Sequence, residues 1–248
     1  MTHLLVRVFG WSATVLHGDP SVFDRWRWLK RHLRAGPYRT LDAGCGSGAL
    51  TLYAARKCHE AVGLSYDDAN TRKAIARSRI LKITNARFLV VDLRELDKWR
   101  ERLGLFDQVL CLEAIEHILN DRKLVHDLAA LLAREGRLLL TTPYKHGRDL
   151  YGDHVSPVED GGHVRKGYTH EEIEAMFAEQ GLAVMAAEFV SGIVSQKVMG
   201  LQRLLSTIHP VGAWMLTLPL RLLWPLDRPL TSIFRHPYLS IAVVARKI

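Results

Sequence analysis

Residues 41–50, LDAGCGSGAL, place three glycines at alternate positions shortly after an acidic residue, Asp42. Glycine has no Cβ, so the chain can turn there with positive φ and a ligand can approach the backbone closely. A helix predicted to start near Ser47 presents unpaired N–H groups and its positive dipole end to the same place. The pattern predicts a nucleotide-like ligand lying across a turn from a strand to a helix.

Two ligand classes fit this loop. Gly44, Gly46 and Ala49 satisfy the G-x-G-x-x-G/A spacing of a dinucleotide loop, which keeps an NAD-dependent oxidoreductase open as an alternative. The carboxylate of Asp42 would repel a pyrophosphate, however, and favours a ligand with a cationic or hydroxyl-bearing end. S-adenosylmethionine (SAM) has an amino group, a sulfonium and no phosphate, so the loop favours SAM.

The loop resembles motif I of the class I SAM-dependent methyltransferases, whose usual form is close to (L/V)DxGCGxG. Four later segments resemble, in order, the second to fifth strands of that family: AVGLS (61–65), ARFLVVDL (86–93), FDQVLCLEAIEHI (106–118) and GRLLLTTP (136–143). The similarity covers roughly residues 38–190 and is greatest to the broad small-molecule and lipid methyltransferase group. It implies SAM as co-substrate and methyl transfer to a small-molecule or lipid-like acceptor.

The order of strand-like and helix-like segments predicts a doubly wound α/β sheet. The resemblance implies a Rossmann-like sheet of seven strands, mostly parallel, with an antiparallel last strand and helices on both faces. A chain of 248 residues is long enough for one such domain. We expect a single methyltransferase domain made of an N-terminal helical segment (1–36), a SAM-binding core (37–190), an apolar helical insert or lid (191–237) and the last strand (238–248).

Two helix starts are predicted from side-chain patterns. Ser21 followed by Asp24 predicts the start of a helix over SVFDRWRWLKRHL. Thr169 followed by Glu172 forms a capping box, which predicts a helix that runs to about Gln180.

The resemblance also implies roles around the methyl donor. The glycine loop would pack against the methionine part, and Asp42 would hold the amino group directly or through water. Ser65 stands where the family usually has the acid that binds both ribose hydroxyls, and we expect it to contact the ribose with Tyr66 stacking on the adenine. Asp67 or Asp68 would either reach the ribose from the start of the next helix or cap that helix, and capping is favoured for Asp68. Asp92 would bond the adenine amino group. The predicted donor-binding residues are Asp42, Ala43, Gly44, Cys45, Gly46, Gly48, Ser65, Tyr66, Asp92, Leu93 and Glu113.

Candidates for catalysis and acceptor binding follow the fourth and fifth strands. Methyl transfer is an in-line displacement, so alignment supplies most of the catalysis, with effective molarities of about 10⁵ M or more. His117 with Glu116 is the candidate base pair; the alternative is that Glu-His here only starts a helix. The acceptor-pocket candidates are His154, His163, Arg165 and Tyr168. No Asn-Pro-Pro-Tyr motif follows the fourth strand, which favours an oxygen or carbon acceptor over an exocyclic amine.

Cysteine and histidine usage points away from metals and disulfides. Cys45, Cys58 and Cys111 form no C-x-x-C pair, and the twelve histidines show no H-x-x-x-H or H-E-x-x-H grouping. We therefore expect no metal and a reducing compartment. Arg7 interrupts the apolar N-terminus, so we expect no signal peptide and a cytoplasmic protein.

The net charge of +8 and the composition of the insert indicate which binding partners to expect. Basic residues cluster in helix-like segments, but no recognised nucleic-acid module accompanies them, which argues against nucleic acid as a partner. An anionic membrane surface explains the positive charge as well as nucleic acid does. The insert contains VGAWMLTLPLRLLWPL, shorter than the ~20 apolar residues that span a bilayer. Its basic residues, set against Asp227, are Lys197, Arg203, Arg221, Arg228 and Arg235.

The insert has four open interpretations: a surface peripheral to the inner face of a membrane, a cover over an apolar substrate, a dimer interface, or a helical cap on its own domain. The oligomeric state stays open. A non-catalytic, membrane-associated member of the fold is a further alternative, because Ser65 replaces the usual ribose-binding acid.

Overall fold

Seven strands form one sheet in the computed structural model, which describes residues 2–17, 19–148 and 155–248. The strands are β1 (Gly36–Ala43), β2 (Cys58–Ser65), β3 (Ala86–Val90), β4 (Phe106–Leu112), β5 (Leu132–Pro143), β6 (Leu182–Val190) and β7 (Ser240–Lys247). Their order across the sheet is β3-β2-β1-β4-β5-β7-β6. The first five strands are parallel, and β7 runs antiparallel to both β5 and β6. The predicted fold is confirmed.

Helices connect the strands, precede them and fill the insert. The α-helices of the described residues are α1 (Thr2–Phe9), α2 (Ser12–Leu16), α3 (Pro20–His32), α4 (Ala49–Ala55), α5 (Asp68–Leu81), α6 (Arg100–Leu103), α7 (Asp121–Ala130), α8 (His170–Ala178), α9 (Ile193–Ser206), α10 (Pro210–Thr217) and α11 (Asp227–Ile233). Shorter 3₁₀ segments span Leu93–Trp99, Ile115–His117 and Pro219–Leu226.

Alternate residues of the central strands divide the core into two layers, because successive side chains of a strand point to opposite faces. Val109 and Cys111 of β4 pack in a cluster with α7 and α8. Leu110 and Leu112 of the same strand pack in a second cluster with α2, α3 and α4, which includes Trp28. Helices therefore cover both faces of the sheet, as predicted.

The helix predicted from Ser21 onward forms as α3, but the residue assigned to its start was wrong. The residue that caps α3 is Asp19, whose Oδ1 accepts a hydrogen bond of 2.9 Å from the backbone N–H of Ser21. Pro20 occupies the first turn, where its fixed φ suits a helix and its missing N–H costs nothing. Ser21 thus lies inside the helix, and its hydroxyl accepts from Arg25.

The other caps give one confirmation and one correction. α8 begins at the predicted capping box, in which Thr169 and Glu172 each accept a hydrogen bond from the other's backbone N–H. α5 is capped by Asp67, which accepts from the backbone N–H of Ala69 at 2.7 Å. Asp68, the predicted cap, lies in the first turn and pairs with Arg72 four residues later.

The insert folds as three α-helices and one 3₁₀ segment, and two of its charged residues are buried instead of forming a rim. Arg221 donates to the side-chain oxygen of Gln202 at 2.9 Å. Asp227 accepts from the backbone N–H groups of Gly192 (2.7 Å) and Val194 (2.8 Å), so it caps the start of α9. Within the described ranges, no helix has the length and apolar character needed to cross a membrane.

The sheet places its ligand edge between β1 and β4. These two strands are neighbours at the centre, and the connections turn in opposite directions on either side of them. In open α/β sheets a crevice forms at such a point, outside the carboxyl ends of the strands. The glycine loop and the polar residues after β2, β3 and β4 all meet at this edge.

Candidate functional site

A cleft of about 350 Å³ opens at the carboxyl ends of β1 to β4, a size in the range of small-molecule sites. Predicted residues that line it are Gly44, Gly46, Ser65, Tyr66, Asp92, Leu93, Glu113 and His117. Lining residues that the sequence did not indicate are Asn70, Arg94, Ala114, Ile118, Glu159, Asp160 and Gly161.

The glycine loop is fixed to the end of the neighbouring strand. The backbone N–H groups of Gly44 and Cys45 donate to the carbonyl of Leu64 at 3.0 and 2.8 Å. Gly46 has positive φ, and a Cβ built on it would meet no atom within 4 Å. The backbone at Gly46 is therefore open to a ligand in the cleft.

Gly48, the third glycine of the loop, allows close packing between elements of the fold. Gly48 adopts a left-handed conformation (φ +78°) at the start of α4. A Cβ there would lie 2.7 Å from that of Ala74 and 2.8 Å from the ring of Phe88. Gly48 allows α4 to approach α5 and β3, and it does not line the cleft.

Asp42 lies beneath the loop. It is buried, and the hydroxyl of Thr51 on α4 donates to it at 2.6 Å. Loss of hydration by burial raises the pKa of Asp42 to about 6, partly offset by Thr51 and by the charge of Arg25. Asp42, Ala43 and Cys45 do not line the cleft, and their contacts with the methyl donor stay predictions.

The end of β2 presents one buried and one exposed side chain to the cleft. The hydroxyl of Ser65 accepts from the backbone N–H of Asp67 at 3.3 Å. Tyr66 is exposed, and its hydroxyl lies 3.2 Å from the position of a Cβ on Gly161. The predicted ribose and adenine contacts of Ser65 and Tyr66 are compatible with these positions and stay predictions.

Asp92, after β3, is held by an arginine. Its carboxylate accepts from the backbone N–H of Arg94 at 3.0 Å and from Nε of the same residue at 2.9 Å. These hydrogen bonds lower the pKa of Asp92. Arg94 also donates to Glu159 at 3.1 Å, which ties this end of the cleft to the loop after β5. An adenine amino group would share Asp92 with Arg94.

Glu113 follows β4 in an unusual backbone conformation. Its φ is +55°, in the left-handed region that non-glycine residues rarely adopt, and its N–H donates to the carbonyl of Thr141 at 2.8 Å. Such strain costs about 1–3 kcal/mol and often accompanies functional sites. Among the described residues, Oε1 of Glu113 is buried without a hydrogen-bond partner.

The predicted catalytic pair lies next to Glu113. Glu116 is fully buried, and its Oε2 accepts from the hydroxyl of Thr142 at 3.2 Å. Burial, and then the charge of Glu113, holds the pKa of Glu116 well above its ordinary value. His117 Nε2 lies 4.0 Å from Oε1 of Glu116, and its Nδ1 lies 2.9 Å from the carbonyl of Gly162.

The acceptor-pocket candidates separate into different places. The ring of His163 packs edge-on against His117, with 4.8 Å between ring centroids. Arg165 and Tyr168 both contact Asp121, with the tyrosine hydroxyl donating at 2.8 Å, and they anchor the loop away from the cleft lining. Burial and the carboxylate of Asp121 raise the pKa of Tyr168. His154 lies outside the described residues.

The loop after β5 forms one wall of the cleft. Glu159 accepts from the backbone N–H of Leu119 at 2.5 Å, and the backbone N–H of Val164 donates to the carbonyl of Glu116 at 3.0 Å. In the described part of the chain, the formally charged lining residues are Asp92, Glu113, Glu159 and Asp160, against Arg94. This excess of acidic groups suits a cationic ligand and opposes a pyrophosphate.

Comparison with known proteins agrees with this geometry. A family described as a methyltransferase domain matches residues 22–187. The chain is 26% identical over 120 residues to a ubiquinone biosynthesis O-methyltransferase of Acinetobacter baylyi, covering 48% of this chain and 49% of that protein. The chain spans about half the length of the curated relatives it matches.

Solved structures share the fold at low identity. The [4+2]-cyclase SpnF superposes with a TM-score of 0.61 at 19% identity, covering 90% of this chain and 80% of that chain. Coclaurine N-methyltransferase bound to N-methylheliamine and S-adenosylhomocysteine gives a TM-score of 0.60 at 18% identity, covering 89% and 71%. These similarities support the Rossmann-like architecture.

Proposed function

Since the chain belongs to the class I SAM-dependent methyltransferase family, whose domain matches residues 22–187, we propose that it transfers the methyl group of SAM to a small-molecule or lipid-like acceptor, at oxygen or carbon. S-adenosylhomocysteine is then the second product.

The acidic lining of the cleft carries this proposal. SAM brings a sulfonium and an ammonium group. The lining offers Asp92 after β3 and Glu113 after β4, on the two sides of the cleft, with the open backbone of Gly46 after β1 between them. A buried carboxylate, Asp42, lies beneath the same loop. NAD would bring a pyrophosphate into this acidic cleft, which disfavours the oxidoreductase alternative.

The reaction needs alignment and removal of a proton. The bond between the sulfonium sulfur and the methyl carbon breaks, its electron pair stays on sulfur, and the acceptor atom forms the new bond. For a hydroxyl acceptor, the proton leaves as the bond forms. We propose that His117, which lines the cleft with its Nε2 4.0 Å from Oε1 of Glu116, accepts this proton with Glu116 as its partner.

Two observations favour oxygen as the acceptor atom. The relative named a ubiquinone biosynthesis O-methyltransferase favours oxygen, as does the lack of an Asn-Pro-Pro-Tyr motif after β4. A relative named (S)-coclaurine N-methyltransferase keeps nitrogen as the runner-up.

A lipid-like acceptor is supported by exposed apolar side chains. In the insert, Ile208, Leu222 and Ile233 are each more than 70% exposed. The insert joins the N-terminal helices, since the indole N–H of Trp214 donates to the carbonyl of Leu16 at 2.6 Å. We propose that this surface lies on an anionic membrane, from which an apolar acceptor would reach the cleft.

The activity is tested in two steps. Thermal unfolding is measured with SAM, S-adenosylhomocysteine and NAD in parallel, and transfer of a labelled methyl group is then measured with phenolic and lipid acceptors. Stabilisation by SAM with labelled product supports the proposal. Stabilisation by NAD alone would overturn it, and stabilisation by SAM without product from any acceptor class would favour the non-catalytic alternative.

A further inference from the structure

Three side chains next to the cleft converge on one point. Glu116 and His117 come from the 3₁₀ turn after β4, and His163 comes from the loop after β5. Each offers one ligand atom, and these atoms all lie within 4.8 Å of one another. Histidine spacing, from which we expected no metal, could not predict such a cluster, because His163 is distant from the other two residues along the chain.

The carboxylate of Glu116 is incompletely bonded. Oε2 accepts from Thr142, while Oε1 is buried without a hydrogen-bond partner among the described residues. An unpaired buried carboxylate oxygen costs free energy unless a proton or cation satisfies it. Oε1 faces the ring of His117, whose Nε2 lies 4.0 Å away. The neighbouring Oε1 of Glu113 is also buried and unpartnered within the described ranges.

The orientation of His117 is that of a metal ligand. Nδ1 lies 2.9 Å from the carbonyl of Gly162, and a carbonyl only accepts, so Nδ1 carries the hydrogen. In the neutral ring Nε2 then has a free electron pair and lies 4.0 Å from Oε1 of Glu116. When Glu116 is ionised, these two atoms are neighbouring acceptors that a cation satisfies. Histidines that bind metals usually donate their other N–H to a carbonyl or carboxylate, as His117 does to Gly162.

We propose that Glu116, His117 and His163 bind one divalent first-row transition-metal ion. Two imidazoles and a carboxylate are donors suited to Zn²⁺, Fe²⁺, Co²⁺ or Mn²⁺, and three protein ligands leave coordination positions for an exogenous group. Because His117 lines the cleft, an ion bound to it lies beside the cleft. The ion also balances the acidic charge of Glu113 and Glu116.

The ion defines an acceptor class, and this step rests on the proposed function. A phenol or enol whose oxygen coordinates the ion loses its proton to water more readily, and the resulting oxyanion attacks the methyl carbon of SAM. The new bond is oxygen to carbon, and the sulfonium electron pair stays on sulfur. With the ion bound, Nε2 of His117 is occupied, so the acceptor's proton goes to water and not to His117, which takes the proton when no ion is bound.

Metal binding is tested separately from turnover. The full-length protein is treated with chelator, dialysed and titrated with Co²⁺, with the visible absorption of bound cobalt and the calorimetric stoichiometry as readouts. We expect one equivalent to bind. Glu116→Gln and His163→Asn should each weaken binding by about 10-fold or more, while His126→Ala, an exposed histidine on α7, should leave it unchanged.

The outcomes separate the two proposals. Thermal unfolding checks that Glu116→Gln is folded, and His163→Asn, which changes a loop residue, gives an independent second variant. Absence of cobalt binding by the wild type, or binding that both variants retain, would overturn the metal site even if SAM still stabilises the protein. Cobalt binding without any response to SAM would leave the metal site standing and overturn the proposed function instead.

Discussion

Asp42 shows how one buried residue links stability to ligand binding. Its carboxylate lies under the glycine loop with Thr51 as its hydrogen-bond donor, and burial disfavours the charged form. A cationic group above the loop would favour that charged form. We therefore expect Asp42 to weaken the unliganded fold near neutral pH and to strengthen binding of a cation.

The pH dependence follows from the sign of this shift. The pKa of Asp42 rises from 3.8 to about 6 on folding, so its contribution to stability is fully present below about pH 4 and is lost as pH rises through about 6. Asp42→Asn should raise the free energy of unfolding above about pH 7 by up to about 3 kcal/mol, with little change at about pH 4. It should also weaken SAM binding.

Urea unfolding at the two pH values measures this prediction. Asp68→Asn, at an exposed ion pair on α5, is the control and should change stability by less than about 1 kcal/mol at either pH. A destabilised Asp42→Asn at neutral pH would contradict the account of the buried carboxylate.

Among individual residues, the sequence predicted those cleft residues that lie in a motif at the end of a strand. Gly44, Gly46 and Ser65 reach the cleft because each comes directly after β1 or at the end of β2. Arg94 and Glu159 could not be predicted, since their contact joins two loops with no shared pattern. Gly48 belongs to the motif, yet packing against α5 and β3 explains it.

Among the structural elements, the glycine loop connects the sheet to the ligand cleft. Substitutions at its different positions should change stability and SAM affinity to different extents. Gly46→Ala adds a methyl group in open space, so we expect a stability loss of about 1–2 kcal/mol from positive φ and at least about 10-fold weaker SAM binding. Gly48→Ala should lose more stability, about 3 kcal/mol, because its methyl group would overlap Ala74 and Phe88.

Thermal unfolding and calorimetry with SAM distinguish these two variants. If Gly46→Ala keeps wild-type SAM affinity, the open backbone at Gly46 is not the ligand surface. If Gly48→Ala is as stable as the wild type, the packing role assigned to Gly48 is wrong.

The loop after β5 is the second element with a testable task. Glu159 holds this loop against the cleft by accepting hydrogen bonds from the side chain of Arg94 and from the backbone N–H of Leu119. Glu159→Ala should speed SAM dissociation several-fold and make the loop more sensitive to protease, because two of its anchors are removed. Stopped-flow dissociation measures the rate, with Glu174→Ala, an exposed residue of α8, as control. An unchanged rate would show that the loop does not retain the donor.

Elements with strong local patterns were predicted and those set by tertiary contacts were not. The capping box at Thr169 fixed the start of α8, whereas the cap of α3 was assigned to Ser21 because Asp19 lies before the apolar pattern begins. Arg221 was expected on a basic rim. It is buried instead, because its guanidinium donates hydrogen bonds to the side chain of Gln202 and to the carbonyl of Val15.

For the molecule as a whole, the α/β class followed from the alternation of strand-like and helix-like segments, and the resemblance of five ordered segments to the methyltransferase family implied the topology. The position of the insert along the chain was also predicted. Its surface was not, since which apolar residues stay exposed depends on how α9, α10 and α11 pack. The exposed set includes Leu204, Ile208, Met215, Leu216, Leu222, Ile233 and Phe234.

This surface predicts membrane binding that depends on charge. The protein, with its net charge of +8, should co-sediment with phosphatidylcholine vesicles that contain phosphatidylserine, and less so as salt is raised. A Leu216→Ser and Leu222→Ser double variant should lose most binding, while Leu105→Ser, an exposed leucine before β4, should not. Absence of wild-type binding to anionic vesicles would remove the membrane proposal.

The central claim is that an acidic cleft at the ends of β1 to β4 binds a sulfonium cofactor and not a pyrophosphate. Isothermal titration calorimetry of the purified full chain with SAM, S-adenosylhomocysteine and NAD tests it most directly. The account predicts one SAM or S-adenosylhomocysteine bound per chain, weakened at least about 10-fold by Gly46→Ala, and no heat from NAD. Binding of NAD without binding of SAM would contradict it.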